Sequence, residues 1–253
     1  MNRLGGLALY TLGYLVILEL MLVGAIVYWP NFEENLDSIR SLAAPIPALG
    51  DLLTTIEDTG VYGYIVGQHF FKGCNTLGTA AAVLFAVGAV AGEVHRGTLE
   101  IFLARPFSRT RLLTERFVGG AVGLVVPVFL TSLTIPWLAD RIDEVELYGP
   151  YLLGSVHQSL FLLSIYSLAF LCSALGSNPT KIALLLLFLT ISGFAIYMIK
   201  VVTDWSPYRL CDMEVFLRIS DTGSLDPRLC VPMVLWILGM YGASLAAFRR
   251  RVP

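Results

Sequence analysis

Charged residues are scarce in this chain. Aspartate, glutamate, lysine and arginine make up 14% of its 253 residues, and hydrophobic residues make up 56%. Soluble domains carry about 25% charged residues, so the composition excludes an ordinary water-soluble fold. It indicates a protein whose solvent is the lipid bilayer, and we expect no nucleic-acid partner.

Motifs that would support catalysis or metal binding are also missing. The chain has no G-x-x-x-x-G-K-[ST] phosphate loop, no H-E-x-x-H pair and no G-x-S-G serine. Its four cysteines form no C-x-x-C pair, and its three histidines are scattered along the sequence. We therefore expect no catalytic site, no metal site and no cofactor on this chain, which argues against an intramembrane enzyme.

Long apolar runs are what the chain has instead. A helix needs about 20 apolar residues to cross the hydrocarbon core of a bilayer, and we predict an all-α, polytopic membrane protein with six such helices. The spans are expected at 7–28, 72–92, 117–138, 152–175, 180–202 and 229–248. The Gly- and Tyr-rich segment 59–71, which contains His69, either extends the second span or forms a separate interfacial helix, the interpretation that we favour.

The remaining charges are divided between the two sides. One set of connections is rich in arginine, and the other set, including the long loop 203–228, is mainly acidic. Because positively charged loops stay in the cytoplasm, both termini are expected there, in a multi-pass protein of the cytoplasmic membrane. The basic set comprises Arg3, Arg96, Arg105, Arg109, Arg111, Arg116, Lys181 and Arg249 to Arg251.

The basic connection 93–116 has the pattern of a short helical hairpin. Gly97 is expected to end the helix of the second span, and Thr98 can cap a new helix that runs to about Ala104. The apolar residues of that helix fall on one face by their spacing. Pro106 would end it, and Ser108 is placed to cap the helix of the third span.

This segment resembles a known one. Its pattern E-x-x-x-G-T-L-E-x-x-L-x-x-P-x-S-R-x-x-L, which begins at Glu93 and ends at Leu112, is similar to the segment after the second span in permeases of type-2 ABC (ATP-binding-cassette) exporters. The resemblance implies that residues 1–253 form a single permease domain and that the segment contains a coupling helix. Such a helix docks on a separate nucleotide-binding subunit, which would bind ATP and Mg and hydrolyse the ATP.

The resemblance also implies partners and an interface. The partners are an ABC ATPase subunit, a second permease subunit in a homodimer or heterodimer, and the lipid bilayer, and the substrate is not readable from the sequence. The alternative is a non-transporting anchor or sensory subunit of an ATPase complex. The expected ATPase interface comprises Glu93, Arg96, Gly97, Thr98, Leu99, Glu100, Phe102, Leu103, Arg105, Pro106, Ser108 and Arg109.

Three further residues are candidates for a role inside or above the membrane. Glu19 lies in the middle of the first span, where a carboxylate costs a few kcal/mol unless it is paired or hydrated. It either faces a translocation path or links two helices. Cys211 and Cys230 flank most of the loop 203–228, and they either form a disulfide, which we slightly favour, or remain free thiols.

Overall fold

The computed structural model describes residues 3–43, 47–98, 108–199 and 201–250, which fold into α-helices with short π- and 3-10-helical segments. The α-helices are α1 (Arg3–Glu34), α2 (Leu36–Ala43), α3 (Pro47–Val66), α4 (Thr79–Val87), α5 (Ala91–His95), α6 (Arg109–Ala139), α7 (Tyr148–Leu175), α8 (Pro179–Tyr197), α9 (Met213–Thr222) and α10 (Pro227–Arg250). A π-helix, Gly67–Gly78, joins α3 to α4.

Six segments are long and apolar enough to cross a membrane, as the sequence predicts. They are Gly6–Glu34, Leu52–Val87, Arg109–Ile142, Tyr148–Leu175, Pro179–Tyr197 and Pro227–Arg250. We number them as spans one to six. The all-α, six-span prediction is therefore confirmed, and the largest difference in bounds is in the second span.

The second span begins about 20 residues earlier than its predicted start at Lys72, because the segment 59–71 belongs to it. The separate interfacial helix that we favoured is wrong. One turn of the segment, which contains Ile65, Val66 and His69, is almost completely buried by neighbouring helices. A helix at the interface would leave one side in contact with water. The span is kinked at Gly60, whose φ of 63° is in the left-handed region.

Gly78, the last residue of the π-helix, lies where the second span packs closely on its neighbours. At Gly78, an added Cβ atom would lie 2.8 Å from Leu162 Cδ1 and 2.9 Å from the hydroxyl oxygen of Tyr14. Any larger residue would therefore require the Leu162 and Tyr14 side chains to shift, so glycine favours the close approach of the first, second and fourth spans at this level. The wider turn of a π-helix is a feature often found at functional sites.

The fourth span (α7) is the centre of the bundle. It packs against α4, α6 and α10, and its side chains Tyr151, Phe161, Tyr166 and Phe170 are fully buried. The first, fifth and sixth spans instead expose long apolar faces. Exposed apolar faces on membrane helices are suited to lipid or to another subunit.

The connection between the fifth and sixth spans folds over one end of the bundle. It contains the 3-10 helices Thr203–Trp205 and Pro207–Cys211, followed by the amphipathic helix α9. Phe216 of α9 stacks on Phe70 at 4.7 Å between ring centroids. The Tyr62 hydroxyl donates to the Phe216 carbonyl at 3.1 Å. This connection is therefore packed on the second span.

Candidate functional site

The second span ends in a helix break from Val87 to Ala91, at the predicted cytoplasmic end. The hydroxyl of Ser173, near the end of the fourth span, forms hydrogen bonds with the backbone groups that this break leaves unpaired. The N–H groups of Val90 and Ala91 donate to Ser173 Oγ at 3.2 and 3.0 Å, and Ser173 Oγ donates to the Val87 carbonyl at 3.1 Å. One donor and two acceptor positions are the full capacity of a hydroxyl, so the fourth span holds the break by three hydrogen bonds.

The third span holds the same break through Arg116. This residue was predicted among the loop charges, but it is 6% exposed, and its Nη1 donates to the Ala89 carbonyl at 2.5 Å. Hydrogen bonds from a charged donor are stronger than those between neutral groups. Side chains from the third and fourth spans thus converge on the backbone of residues 87–91.

Gly97 ends α5, as the sequence predicts. Its φ is 66°, its N–H donates to the Val94 carbonyl at 3.0 Å, and the Thr98 N–H donates to the Glu93 carbonyl at 3.0 Å. These two bonds define a Schellman motif, which usually places glycine at the left-handed position. The chain therefore leaves the second span in a fixed direction at Thr98.

Glu93 accepts hydrogen bonds from two neighbouring side chains at the point where the chain leaves the second span. It is 4% exposed, the Arg96 Nη2 donates to Glu93 Oε1 at 3.0 Å, and the Thr98 hydroxyl donates to Glu93 Oε2. A buried carboxylate needs such partners to offset its lost hydration. Glu93, Arg96 and Thr98 therefore brace one another around the start of the predicted coupling helix.

The basic segment leads into the third span at Ser108, which caps the helix of that span as predicted. The Arg111 N–H donates to Ser108 Oγ at 3.2 Å. Arg109 Nη1 donates to the Arg249 carbonyl at 3.1 Å, and Arg249 Nη2 donates to Thr110 Oγ1 at 3.0 Å. The start of the third span is thereby joined to the end of the sixth.

The central part of the predicted ATPase interface lies outside the described residues. It comprises Leu99, Glu100, Phe102, Leu103, Arg105 and Pro106. The structure describes the other members of the predicted interface, which lie on the two flanks of this segment.

Glu19 lies in the first span beside the third. Its side chain is partly buried and lies near Thr134 of that span. The Thr134 hydroxyl donates to the Thr131 carbonyl at 2.7 Å. Glu19 is thus close to polar groups of the third span, an arrangement compatible with both roles considered above.

A buried polar cluster around His69 lies next to Thr131 of the third span. The prediction that His69 lies at the interface is wrong, because the π-helix turns this fully buried ring towards the third span. Its Nε2 lies 3.1 Å from Ser132 Oγ and 3.4 Å from Thr131 Oγ1, and Ser155 Oγ lies 2.7 Å from Ser132 Oγ. The cluster joins the second, third and fourth spans by hydrogen bonds inside the membrane.

Cys211 and Cys230 are free thiols in the structure, so the bridge that we slightly favoured is not formed there. Cys230 Sγ instead lies 3.7 Å from His157 Nδ1, and His157 Nε2 lies 2.7 Å from the Leu210 carbonyl oxygen. Burial raises the pKa of the Cys211 thiol. Within the described part of the chain, no group of three or more His, Cys, Asp or Glu side chains is placed to hold a metal ion.

Ser173 is the functional candidate that sequence reasoning missed. It lies in the run Phe170–Leu175, where hydropathy does not distinguish one serine from others that bond only to their own helix. The available signal was its position: Ser173 is a polar residue near the end of the fourth span, at about the depth where the second span leads into the basic segment 93–116.

These features define a multi-pass helical membrane protein whose basic segment, predicted to be cytoplasmic, is tied to three of its spans. The model of the ABC-2 family transporter protein matches residues 7–205, more than three quarters of the chain. The chain belongs to this family and is a membrane component of an ABC transporter. No curated protein matches its sequence.

Proposed function

We propose that this chain is the permease subunit of an ABC exporter that is driven by a separate ATPase subunit. In this assignment, residues 98–104 form the coupling helix. ATP and Mg are bound by the ATPase, both termini are cytoplasmic, and two permease subunits, identical or different, form the pathway. Family membership supports the permease role, and the resemblance of the segment 93–112 supports the position of the coupling helix.

The observation that carries the proposal is the bonding of the Val87–Ala91 break. A force applied to the coupling helix reaches Gly97 and then α5, which is five residues long and cannot absorb a large displacement. The break is held by Ser173 and Arg116. Movement of the segment is therefore passed to the third and fourth spans as well as to the second, as alternating access requires.

Binding of the ATPase is the first test. The permease is co-expressed with candidate ABC ATPases from the same genome, and the pair that co-purifies is studied with Leu99→Asp and Phe102→Asp. Placing a carboxylate in a buried apolar anchor costs about 2 kcal/mol or more of binding, so both variants should lose the ATPase. Val145→Asp is the control, because Val145 is 88% exposed at the opposite end of the bundle.

Retained binding in both variants, at a level equal to Val145→Asp, would contradict the coupling-helix assignment. A second measurement separates an exporter from a non-transporting anchor. In reconstituted vesicles, the permease should stimulate ATP hydrolysis by its bound ATPase, and disrupting the break should remove this stimulation without removing the ATPase. An anchor would bind the ATPase and leave its rate insensitive to the break.

A further inference from the structure

A cleft opens between the fourth, fifth and sixth spans. The fifth and sixth spans both pack on the fourth, but within the described residues they do not pack closely on each other. The space between them has a volume of about 390 Å³. Its floor and walls include Phe161, Ile165, Leu186, Leu189, Met233 and Trp236.

The lining of the cleft is almost entirely apolar. The hydroxyls of Ser164 and Thr190 lie in it, but they donate to the Leu160 and Leu187 carbonyls of their own helices at 2.8 and 2.9 Å. The Trp236 indole donates to the Ser164 carbonyl at 3.2 Å. The polar atoms of the cleft are thus engaged, so the cleft suits hydrocarbon better than water.

One end of the cleft carries a positive charge. There it is bounded by the Pro207–Cys211 helix and by Arg228 in the first turn of the sixth span. Arg228 is exposed and, in the part of the chain that the structure describes, forms no ion pair. The charged end and the apolar cavity together therefore match a ligand that has an anionic group at one end and a hydrocarbon chain at the other.

The other arginines of the same connection are already neutralised. Arg209 pairs with Asp212 and lies 3.6 Å from Asp204 and 3.5 Å from Glu214. Arg218 lies 3.6 Å from Asp226, the carboxylate nearest in sequence to Arg228. Arg228 is therefore the member of this group that remains available for an external anion.

We propose that this cleft binds a membrane phospholipid, with one acyl chain between the fifth and sixth spans and the phosphate on Arg228. The cleft opens sideways to the bilayer, and lipid is the solvent on that side. Arginine at a membrane surface attracts anionic headgroups, and its planar guanidinium matches a phosphate. The bound lipid would fill the gap between two spans that have few contacts of their own.

The test is lipid retention by the purified permease in its assembled state. Phosphatidylglycerol is titrated in detergent, and bound lipid is counted by native mass spectrometry. Loss of one arginine contact should weaken binding about fivefold, equivalent to about 1 kcal/mol. This loss is expected for Arg228→Gln and not for Arg250→Gln, which removes an exposed arginine from the other end of the same helix.

A second pair of variants tests the acyl-chain site. Leu189→Trp should reduce retention, because Leu189 lines the cleft, whereas Leu185→Trp should not, because Leu185 is exposed on the same helix outside it. Unchanged melting temperatures without lipid would exclude misfolding as the cause. Equal retention within both pairs would overturn the proposal. A cross-link from Leu189→Cys to the second subunit would also overturn it, because it would place protein in the cleft.

Discussion

The Ser173 hydroxyl oxygen lies 3.0 Å from the Ala91 backbone nitrogen, although 82 residues separate them in the sequence. With the bond from Val90, this contact supplies a hydrogen-bond acceptor to two N–H groups that a helix break leaves without one. The fourth span thereby acts as the cap of a short helix on the second. Displacement of that short helix strains the Ser173 bonds directly.

Replacing Ser173 by alanine should destabilise the protein and weaken coupling. The change leaves two buried N–H groups without an acceptor, which costs about 1–3 kcal/mol for each group that stays dry. We expect a lower melting temperature in detergent and a lower ATPase stimulation at unchanged ATPase binding. Ser167→Ala is the control, because the buried Ser167 hydroxyl donates only to the Ser164 carbonyl of its own helix. Equal losses in the two variants would show that the break depends on other contacts.

Gly97 should be intolerant of alanine for a conformational reason. Its φ is 66°, and an added Cβ atom would meet nothing within 4 Å, so the cost comes from the left-handed backbone and not from a clash. That cost is about 1–2 kcal/mol, and it should redirect the chain at Thr98. We expect Gly97→Ala to reduce ATPase binding or stimulation severalfold.

Two companion variants make this test specific. Gly97→Asn should recover part of the activity, because asparagine tolerates the left-handed region better than alanine does. Gly13→Ala should be neutral or stabilising, since Gly13 lies in a regular helix with open space around it. If Gly97→Ala binds and stimulates the ATPase as well as Gly13→Ala does, the Schellman motif is not needed for coupling.

Much of this architecture could be predicted from the sequence because its signals are local. The length of each apolar run predicts a span, glycine predicts the turn at Gly97, and serine before a basic helix predicts the cap at Ser108. The bond from Ser173 to the break could not be predicted, because it joins residues far apart in sequence. Arg116 was misjudged for a related reason, since the charge rule counts arginines without their burial.

The position of His69 could not be predicted either, because it also depends on contacts between residues far apart in sequence. Glycines and tyrosines in the segment 59–71 weaken its hydropathy and favour an interfacial location. In the structure, burial against the third and fourth spans outweighs this local composition. The π-helix that turns His69 inward has no signal in a single sequence.

Glu146 should make stability fall with rising pH. Burial raises the pKa of this carboxyl from its ordinary value of 4.5, as does Glu144, whereas the Tyr151 hydroxyl, donating at 2.9 Å, lowers it. A pKa that is higher in the folded state means that folding favours the protonated form. The stabilisation is therefore complete below pH 4.5 and is lost as pH rises through the raised pKa.

Melting temperatures measured from pH 4 upwards would check this. Glu146→Gln should flatten the decline above pH 4.5, because glutamine stays neutral and can still accept from Tyr151. Glu34→Gln, an exposed position at the end of the first span, should keep the wild-type profile. Parallel curves for the wild type and Glu146→Gln would contradict the assignment.

Glu19 can be tested without knowing the substrate. If its carboxylate faces a hydrated path, Glu19→Cys should react with a membrane-impermeant thiol reagent, because thiols react as thiolates and these form in water. Leu20→Cys is the matched control, since Leu20 is 66% exposed on the apolar face of the same helix and should stay unreactive. Labelling of the four native cysteines is subtracted by using the parent protein. If Glu19→Cys is as unreactive as Leu20→Cys in every nucleotide state of the complex, Glu19 does not face a hydrated path, and the path must be lined by other residues.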